Sequence, residues 1–350
     1  MKAIYKKRIL DFKRPSGTSR GVLTTKETYY IILTEKARQG IGECGLLKGL
    51  SIDDLTDYED KLQWVCEHIH LGEAKLWDAL ISYPSIQFGI EQAFLSLRAK
   101  NPFILFPTDF TENNAVIPIN GLIWMGEEDF MHQQIQQKLA QGFNCIKMKI
   151  GAIDFEREYL LLQSIRRKYS PKEIELRVDA NGAFSPEEAM TKLKLLAELR
   201  LHSIEQPIRQ GQLSHMKRLC AAAPLPIALD EELIGVFDAT EKEKLLQTIQ
   251  PQYIILKPSL VGGFKGSLEW IELAERLNIG WWVTSALESN IGLNAIAQWT
   301  FKRNSNRHQG LGTGSLFTNN FESPLTVENG TLRYDKERNW QKHLIKDLCI

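Results

Sequence analysis

Lys149, Asp179, Glu205, Asp230, Lys257 and Ser285 each close a short run of β-type residues in the second half of the chain. Three carboxylates brought together without partners repel, and each raises the pKa of the others, so a cation is their natural companion. All-oxygen donors favour a hard divalent ion, and a small set that leaves positions for substrate and water points to Mg²⁺, with Mn²⁺ as its substitute. The competing use of an acid at a strand end is to cap the helix that follows. Three acids at matching positions weigh against that use, and Asp179, Glu205 and Asp230 are the expected metal ligands.

The run NCIKMKIG at 144–151 adds two amines. Its alternation places Cys145, Lys147 and Lys149 on one face and Ile146, Met148 and Ile150 on the other. On an exposed strand such lysines only blunt an edge. On a strand whose polar face points into a closed structure, they stand with Lys257 near the acids. An amine there could take a proton from the carbon next to a carboxylate, while the metal stabilises the enediolate charge that develops. A lysine base works near neutral pH when its pKa falls from near 10.4 to about 7–8, a change worth about 4 kcal/mol. Residues i and i+2 of a strand lie about 7 Å apart. Two like charges at that distance repel by about 2.4 kcal/mol at an effective dielectric near 20. The pair is therefore expected to make one of its amines basic in the useful range, with Lys149, Lys257 and Lys147 as the catalytic candidates.

These residues need elements that gather them. Runs at 116–120, 145–150, 174–179, 202–206, 226–230, 253–257 and 281–285 alternate with segments of helical period, and GLGTG follows at 310–314. Alternating strands and helices predict an α/β fold with a parallel sheet and crossover helices. Successive run ends from Lys149 to Ser285 are 30, 26, 25, 27 and 28 residues apart, the length of one βα unit of a TIM-type barrel, whose active site lies at the strand ends. A doubly wound open sheet has similar spacings. Ser185-Pro186-Glu187-Glu188 reads as a capping box with Pro at the first helical position.

Residues 1–112 read differently, as a smaller α+β domain with a hairpin in YYIILTEKARQGIGECG and helices near 54–70 and 85–99. The barrel is expected over 113–314. The tail, 315–350, is expected to pack back on the first domain and to turn at Asn329-Gly330.

Lys plus Arg and Asp plus Glu number 43 each among 350 residues, so no net field draws nucleic acid or an anionic membrane. A small-molecule carboxylate substrate is the expected partner. Five scattered cysteines without a C-x-x-C pair fit a reducing compartment. The charged start MKAIYKKRILDFKRP lacks the apolar core of a signal peptide, and no window reaches the roughly 18 apolar residues of a membrane span. A cytoplasmic location is expected.

As an ordered set, IKMKIG, LRVDANGAF, SIEQPI, PIALDEE, ILKPSLVGGF and VTSALESNIGL resemble the muconate-lactonizing subgroup of the enolase superfamily over nearly the whole chain. The resemblance implies a (β/α)7β barrel with an α+β capping domain, Lys149 as the acid/base with Lys257 as the second lysine that stabilises the enediolate, and Asp179, Glu205 and Asp230 on Mg²⁺. LRVDAN, the LLKGLS loop after IGEC and GLGTGSLFTNN are most similar to the o-succinylbenzoate synthase family. That implies syn dehydration of 2-succinyl-6-hydroxy-2,4-cyclohexadiene-1-carboxylate, with Lys149 removing the α-proton and then protonating the departing hydroxyl. N-succinylamino acid racemases use the same two lysines and stay open as an alternative. Dipeptide epimerases carry an Asp-x-Asp where this chain has GLGTG, and mandelate-racemase types a His where it has VTS. A non-catalytic binding barrel gains nothing from two inward amines.

Other positions keep two readings. Arg177 shares a face with Asp179 and either orients a catalytic group or pairs with an acid structurally. Asn181 either bonds a lysine or begins a turn. Ser285 forms a capping box with Glu288 or contacts substrate. The backbone of GLGTG, including Gly312, is a candidate anion contact, and Glu231 a support for the metal ligands. Ser19, Arg20 and Leu46 to Leu50 are candidates to close over the substrate.

Overall fold

The computed structural model describes residues 1–18 and 21–349, so Ser19 and Arg20 lie outside the described residues. The chain opens with β1 (Lys2–Thr18), β2 (Gly21–Glu35) and β3 (Arg38–Cys44), an antiparallel sheet in the order β1-β2-β3. Helices α1 (Tyr58–Glu67), α2 (Glu73–Ala79) and α3 (Pro84–Arg98) follow. The hairpin and the two long helices match expectation. The 17-residue β1 does not, because its many charges hid a strand whose partner lies across the sheet. Helix α3 packs on β3, and a Cβ at Gly42 would collide with the Gly89 carbonyl of α3. The glycines of GIGE thus permit close contact.

After α4 (Asp109–Glu112) comes β4 (Val116–Pro118). This run was expected to begin the parallel sheet. It pairs instead with the tail, Ile117 opposite Leu332 and Pro118 opposite Thr331. A proline has no N–H to give a ladder, and the parallel sheet starts just beyond, at β5 (Gly121–Ile123). Six βα steps lead on through α5 (Glu128–Ala140), β6 (Cys145–Lys149), α6 (Phe155–Lys168), β7 (Glu175–Asp179), α7 (Pro186–Glu198) and β8 (Ser203–Glu205). They continue with α8 (Leu213–Ala222), β9 (Ile227–Leu229), α9 (Ala239–Ile249), β10 (Tyr253–Leu256), α10 (Gly263–Arg276) and β11 (Gly280–Val283), and α11 (Asn290–Lys302) follows. The sheet order is β11-β10-β9-β8-β7-β6-β5. Every unit steps to the adjacent position in one direction, whereas a doubly wound sheet reverses midway, so the open-sheet alternative is excluded. The chain has an α/β fold with a seven-stranded, TIM-barrel-like parallel sheet. Gln309 bridges Ile119 and Gly310 bridges Thr284, both in parallel, which links the two edges of the sheet.

Local signals set the helix ends. Ser185 and Glu188 form the expected capping box at α7. The core takes Ile146 and Met148 from β6, together with Leu176, Val178, Ile204 and Ile227 from the next three strands. The other face of β6 is left to its lysines.

In the tail, β12 (Leu325–Glu328) and β13 (Thr331–Tyr334) turn at Asn329 and Gly330, with φ of 48° and 68°. The hairpin joins β4 rather than the first sheet. Phe321, with Leu344 and Ile345 of α12 (Leu344–Leu348), does pack back on Tyr30, Ile32 and Ile41.

Two buried carboxylates fasten the first sheet and α3 to the later helices. Glu43 of β3 accepts from Ser289 N and Gly292 N, both at 2.9 Å, at the start of α11. Glu91 of α3 accepts from Lys265 N at 3.0 Å and from Phe264 N. The N-cap of α10 is Gly262, which has no side chain to satisfy those donors, so Glu91 reaches across to do it.

Burial raises the Glu91 pKa from 4.5 to about 8. Between those pH values the folded protein holds a proton that the unfolded chain releases. Stability therefore falls as pH rises through this window, by up to ~1.4 kcal/mol per pH unit. Glu91→Gln is expected to flatten the fall in urea unfolding between pH 5 and 8; an equally steep fall in the variant refutes the assignment.

Candidate active site

Parallel register brings the polar residues to one level. Lys149 pairs with Asp179, Asp179 with Glu205, and Glu205 with Ala228. Asp230 and Lys257 follow directly after β9 and β10. The acids are almost wholly enclosed, with Asp179 at 1%, Glu205 and Asp230 at 2% and Glu231 at 3% exposure.

Asp179 Oδ2 lies 3.0 Å from Lys147 Nζ and 3.1 Å from Lys149 Nζ. Lys147 also pairs with Glu205, and Lys257 with Asp230. Oxygens expected to share a divalent ion here share ammonium groups. Lys149 Nζ donates to Asn181 Oδ1 at 2.7 Å, and Asn181 Nδ2 donates to Glu231 Oε1 at 3.0 Å. Asn181 also sits at φ 44° and donates its N–H to Asp179 Oδ1 at 3.0 Å. It therefore does both of the things expected of it, bonding a lysine and forming a turn.

Burial works against the charge of Lys147, but Asp179, Glu205 and Asp230 outweigh it and hold the pKa above the ordinary lysine range. Lys257 is raised in the same way: burial opposes its charge, and Asp230, Glu231 and Glu205 prevail. Burial pushes Asp179 upward, yet Lys147, Lys149 and Lys257 together keep it well below the usual carboxylate range. For Glu205 burial comes first and the neighbouring Asp179 second, and its pKa is raised. The expected repulsion between Lys147 and Lys149 needs correction. Burial disfavours the charge of Lys147, but Asp179 and Glu205 hold it charged, and Asp179 Oδ2 lies against both amines.

Two observations fit a hard divalent ion at this cluster. Glu205 Oε1 is buried with no hydrogen-bond partner among the described residues. Burial and the neighbouring acids also raise the pKa of Glu205 and Glu231, as for crowded carboxyls that a cation would stabilise in their charged form. The oxygens of Asp179, Glu205 and Asp230 are not drawn as close together as expected: among the described residues, the three donors within 4.8 Å of one another are Cys145, Glu175 and His308. They belong to the opposite ends of the strands. Glu175 Oε1 there accepts from Arg177 Nε at 2.7 Å and pairs with its Nη2 at 2.6 Å, so the guanidinium already neutralises that acid.

A cavity of about 960 Å³ opens over the cluster. Lys147, Lys149, Asp179, Asn181, Glu231 and Lys257 form its polar floor, and Ser285, Gly312 and Thr313 one side. Glu205 and Asp230 are not part of the lining; their carboxylates are covered by the lysines paired to them. Of the loop expected to close over the substrate, Leu47 to Leu50 line the cavity.

Arg177 does not reach it. Besides holding Glu175, Arg177 donates to the His308 carbonyl at 3.0 Å and stacks on Trp282 at 4.3 Å. Two residues before the strand end, its side chain points to a deeper layer than Asp179. The capping box at Ser285 is also corrected. Ser285 Oγ bonds Thr313 Oγ1 at 2.7 Å, while Ser289 caps α11 and Glu288 Oε2 accepts from Ala286 N at 2.7 Å. Sequence reasoning missed Leu23, Trp124, Phe130, Leu287 and Leu316, which form an apolar wall. Trp124 was within reach, since Asn120, Leu122 and Trp124 alternate onto one face.

Residues 131–337 match the family described as enolase C-terminal domain-like, and residues 18–97 the MenC N-terminal domain. An o-succinylbenzoate synthase from Desulfotalea psychrophila is 47% identical over 95% of this chain and 98% of that protein. The crystal structure of MenC from the same organism superposes with a TM-score of 0.84 at 44% identity, covering 95% of this chain and 99% of that one. The muconate lactonizing enzyme from Pseudomonas fluorescens shares the fold, with a TM-score of 0.81 at 20% identity over 99% and 98% of the two chains. The chain belongs to the enolase superfamily, and within it to the MenC family.

Mg²⁺ is expected to raise the thermal unfolding midpoint, since a ligand at a thousand times its Kd stabilises the folded state by about 4 kcal/mol. Glu205→Gln should remove most of that gain. Equal gains in both proteins exclude Glu205 as a ligand.

Proposed function

We propose that this chain is an o-succinylbenzoate synthase, a carbon–oxygen lyase of menaquinone biosynthesis that converts 2-succinyl-6-hydroxy-2,4-cyclohexadiene-1-carboxylate into 2-succinylbenzoate and water. The 47% identity to a synthase across nearly the full length of both proteins supports the reaction. The observation that carries the chemistry is that Lys149 and Lys257, from β6 and the end of β10, line one cavity beside Asp179.

In this reading the parallel sheet closes as a (β/α)7β barrel through residues 309–310. Residues 1–112 form the capping domain, 113–314 the barrel, and 315–350 the tail that packs back. Among the described residues no helix is long and apolar enough to cross a membrane; in this reading the enzyme works in the cytoplasm on a small carboxylate.

Asp179, Glu205 and Asp230 would hold Mg²⁺, with Mn²⁺ as its substitute, and the ion supplies stabilisation of the negative charge that grows on the substrate carboxylate. Lys149, as the free amine, takes the proton from the carbon bearing the carboxylate, and the C–H electron pair moves into the enediolate. The resulting ammonium then returns that proton to the ring hydroxyl, which leaves as water as the ring becomes aromatic. One amine on one face accounts for the syn course. Lys257 stays protonated and holds the anionic ring by charge and cation–π contact. Asn181 orients Lys149 through its 2.7 Å bond, and Ser285 and the Gly312 backbone meet the polar end of the substrate. The apolar wall excludes water.

Lys149→Ala is expected to lower dehydration by at least roughly 10³-fold with the circular dichroism spectrum unchanged; retained turnover removes Lys149 from this role. Two amines on one cavity also suit an N-succinylamino acid racemase. Incubating the enzyme and Mg²⁺ with N-succinyl amino acids in D₂O separates the readings. No deuterium at the α-carbon, alongside full dehydration, is the result expected for the synthase alone.

A further inference from the structure

Lys26 lies on β2, far in sequence from every residue of the proposed chemistry. Its strand alternates, so Lys26 shares a face with Thr28, Tyr30 and Ile32. Those three are at most 1% exposed, and Lys26 itself is 4% exposed. A lysine enclosed to that degree needs partners for its three N–H donors. Its Nζ donates to the carbonyl of Ala286 at 3.0 Å and to that of Leu287 at 2.9 Å. Both residues line the cavity immediately after Ser285.

The segment it grips is unusual. Leu287 has a φ of 62°, a left-handed conformation that residues with a Cβ rarely adopt. Its side chain contributes to the apolar wall and packs with Leu10, Phe12 and Phe317. On the other side of the same turn, Glu288 is fully buried. Its Oε2 accepts the Ala286 N–H at 2.7 Å, and its Oε1 accepts the Ser259 hydroxyl at 2.6 Å. The turn is thus clamped between the Lys26 amine on its carbonyls and the Glu288 carboxyl on its amide. Ser259 stands two residues past Lys257. Gly45 closes the assembly, because a Cβ there would lie 2.9 Å from Glu288 Oε1 and 3.0 Å from the Ser259 Cβ.

A continuous set of contacts therefore runs from the first sheet through Lys26, the 286–288 turn, Glu288 and Ser259 to the segment that carries Lys257. We propose that Lys26 is a positioning residue, which holds the 286–288 wall in its left-handed turn and so shapes the cavity for the substrate. It touches no reacting atom, and the inference rests on the dehydration proposed above. With its amine removed, Leu287 loses the restraint on its carbonyl, the wall relaxes, and substrate binding suffers before the proton transfers do.

The test uses Lys26→Met, which keeps most of the length of the side chain and removes its donors. In the full-length enzyme with Mg²⁺, KM for the cyclohexadiene carboxylate is expected to rise about tenfold while kcat changes by less than about threefold. Hydrogen exchange, which needs no turnover, is expected to quicken about tenfold in peptides covering 285–289 and to stay unchanged over 145–149 and 175–179. Unchanged exchange at 285–289, or an unchanged KM, overturns the proposal. Where the single variant does not fold, Lys26→Gln, polar but too short to reach both carbonyls, is judged by the same two readouts. A wild-type enzyme that fails to dehydrate the substrate counts against the reaction, whereas the exchange result still decides the role of Lys26.

Discussion

A group of buried like charges constrains everything else in this molecule. Four carboxylates, on Asp179, Glu205, Asp230 and Glu231, lie at 1–3% exposure within a few strands of one another. Removing charges from water costs far more than a typical packing contact returns, so such a group persists only where cations are held against it. Lys147, Lys149 and Lys257 do this from the same strand ends. Their placement relies on register, because a shift of one residue along β6 would turn both of its lysines into the apolar layer. The packing of Ile146 and Met148 against the helices therefore also aims the amines.

Charge serves a second purpose where the antiparallel sheet and α3 meet the later helices. Glu43 satisfies the start of α11, Glu91 the start of α10, and Lys26 two carbonyls of the turn after β11. Each is a buried polar side chain bonded to backbone atoms of a distant element. An apolar contact is tolerant of sliding, but a carboxylate set on two N–H groups is directional. The first sheet is consequently fixed in orientation as well as in contact with the sheet beneath, and its loop at Leu47 to Leu50 arrives over the cavity.

Much of this was legible in the chain. Spacings of 25 to 30 residues marked the βα units, and the last residue of each run marked the level at which polar groups meet. Ser185 and Glu188 announced a helix start, and Asn329-Gly330 a hairpin turn. Other features misled. Val116–Pro118 has the composition of a sheet strand, but its partner is a tail segment more than 200 residues later. Arg177 has the right face of the right strand and the wrong depth. Ser285 and Glu288 have capping-box spacing, while the helix begins at Ser289 and Glu288 turns back to Ala286. Lys26 passed unnoticed among surface-like lysines, although Thr28, Tyr30 and Ile32 on its face hinted at burial.

Periodicity, end residues and turn types are local, and the sequence alone determined them: which segments become strands or helices, and which polar residues stand at the strand ends. Tertiary structure decided which charges are neighbours and therefore which are neutralised. Asp179 lies between two lysines, Arg177 belongs to Glu175, and Lys26 reaches across to the 286–288 turn. Coulomb interactions and desolvation depend on distance and enclosure in space, and neither can be read from separation along the chain.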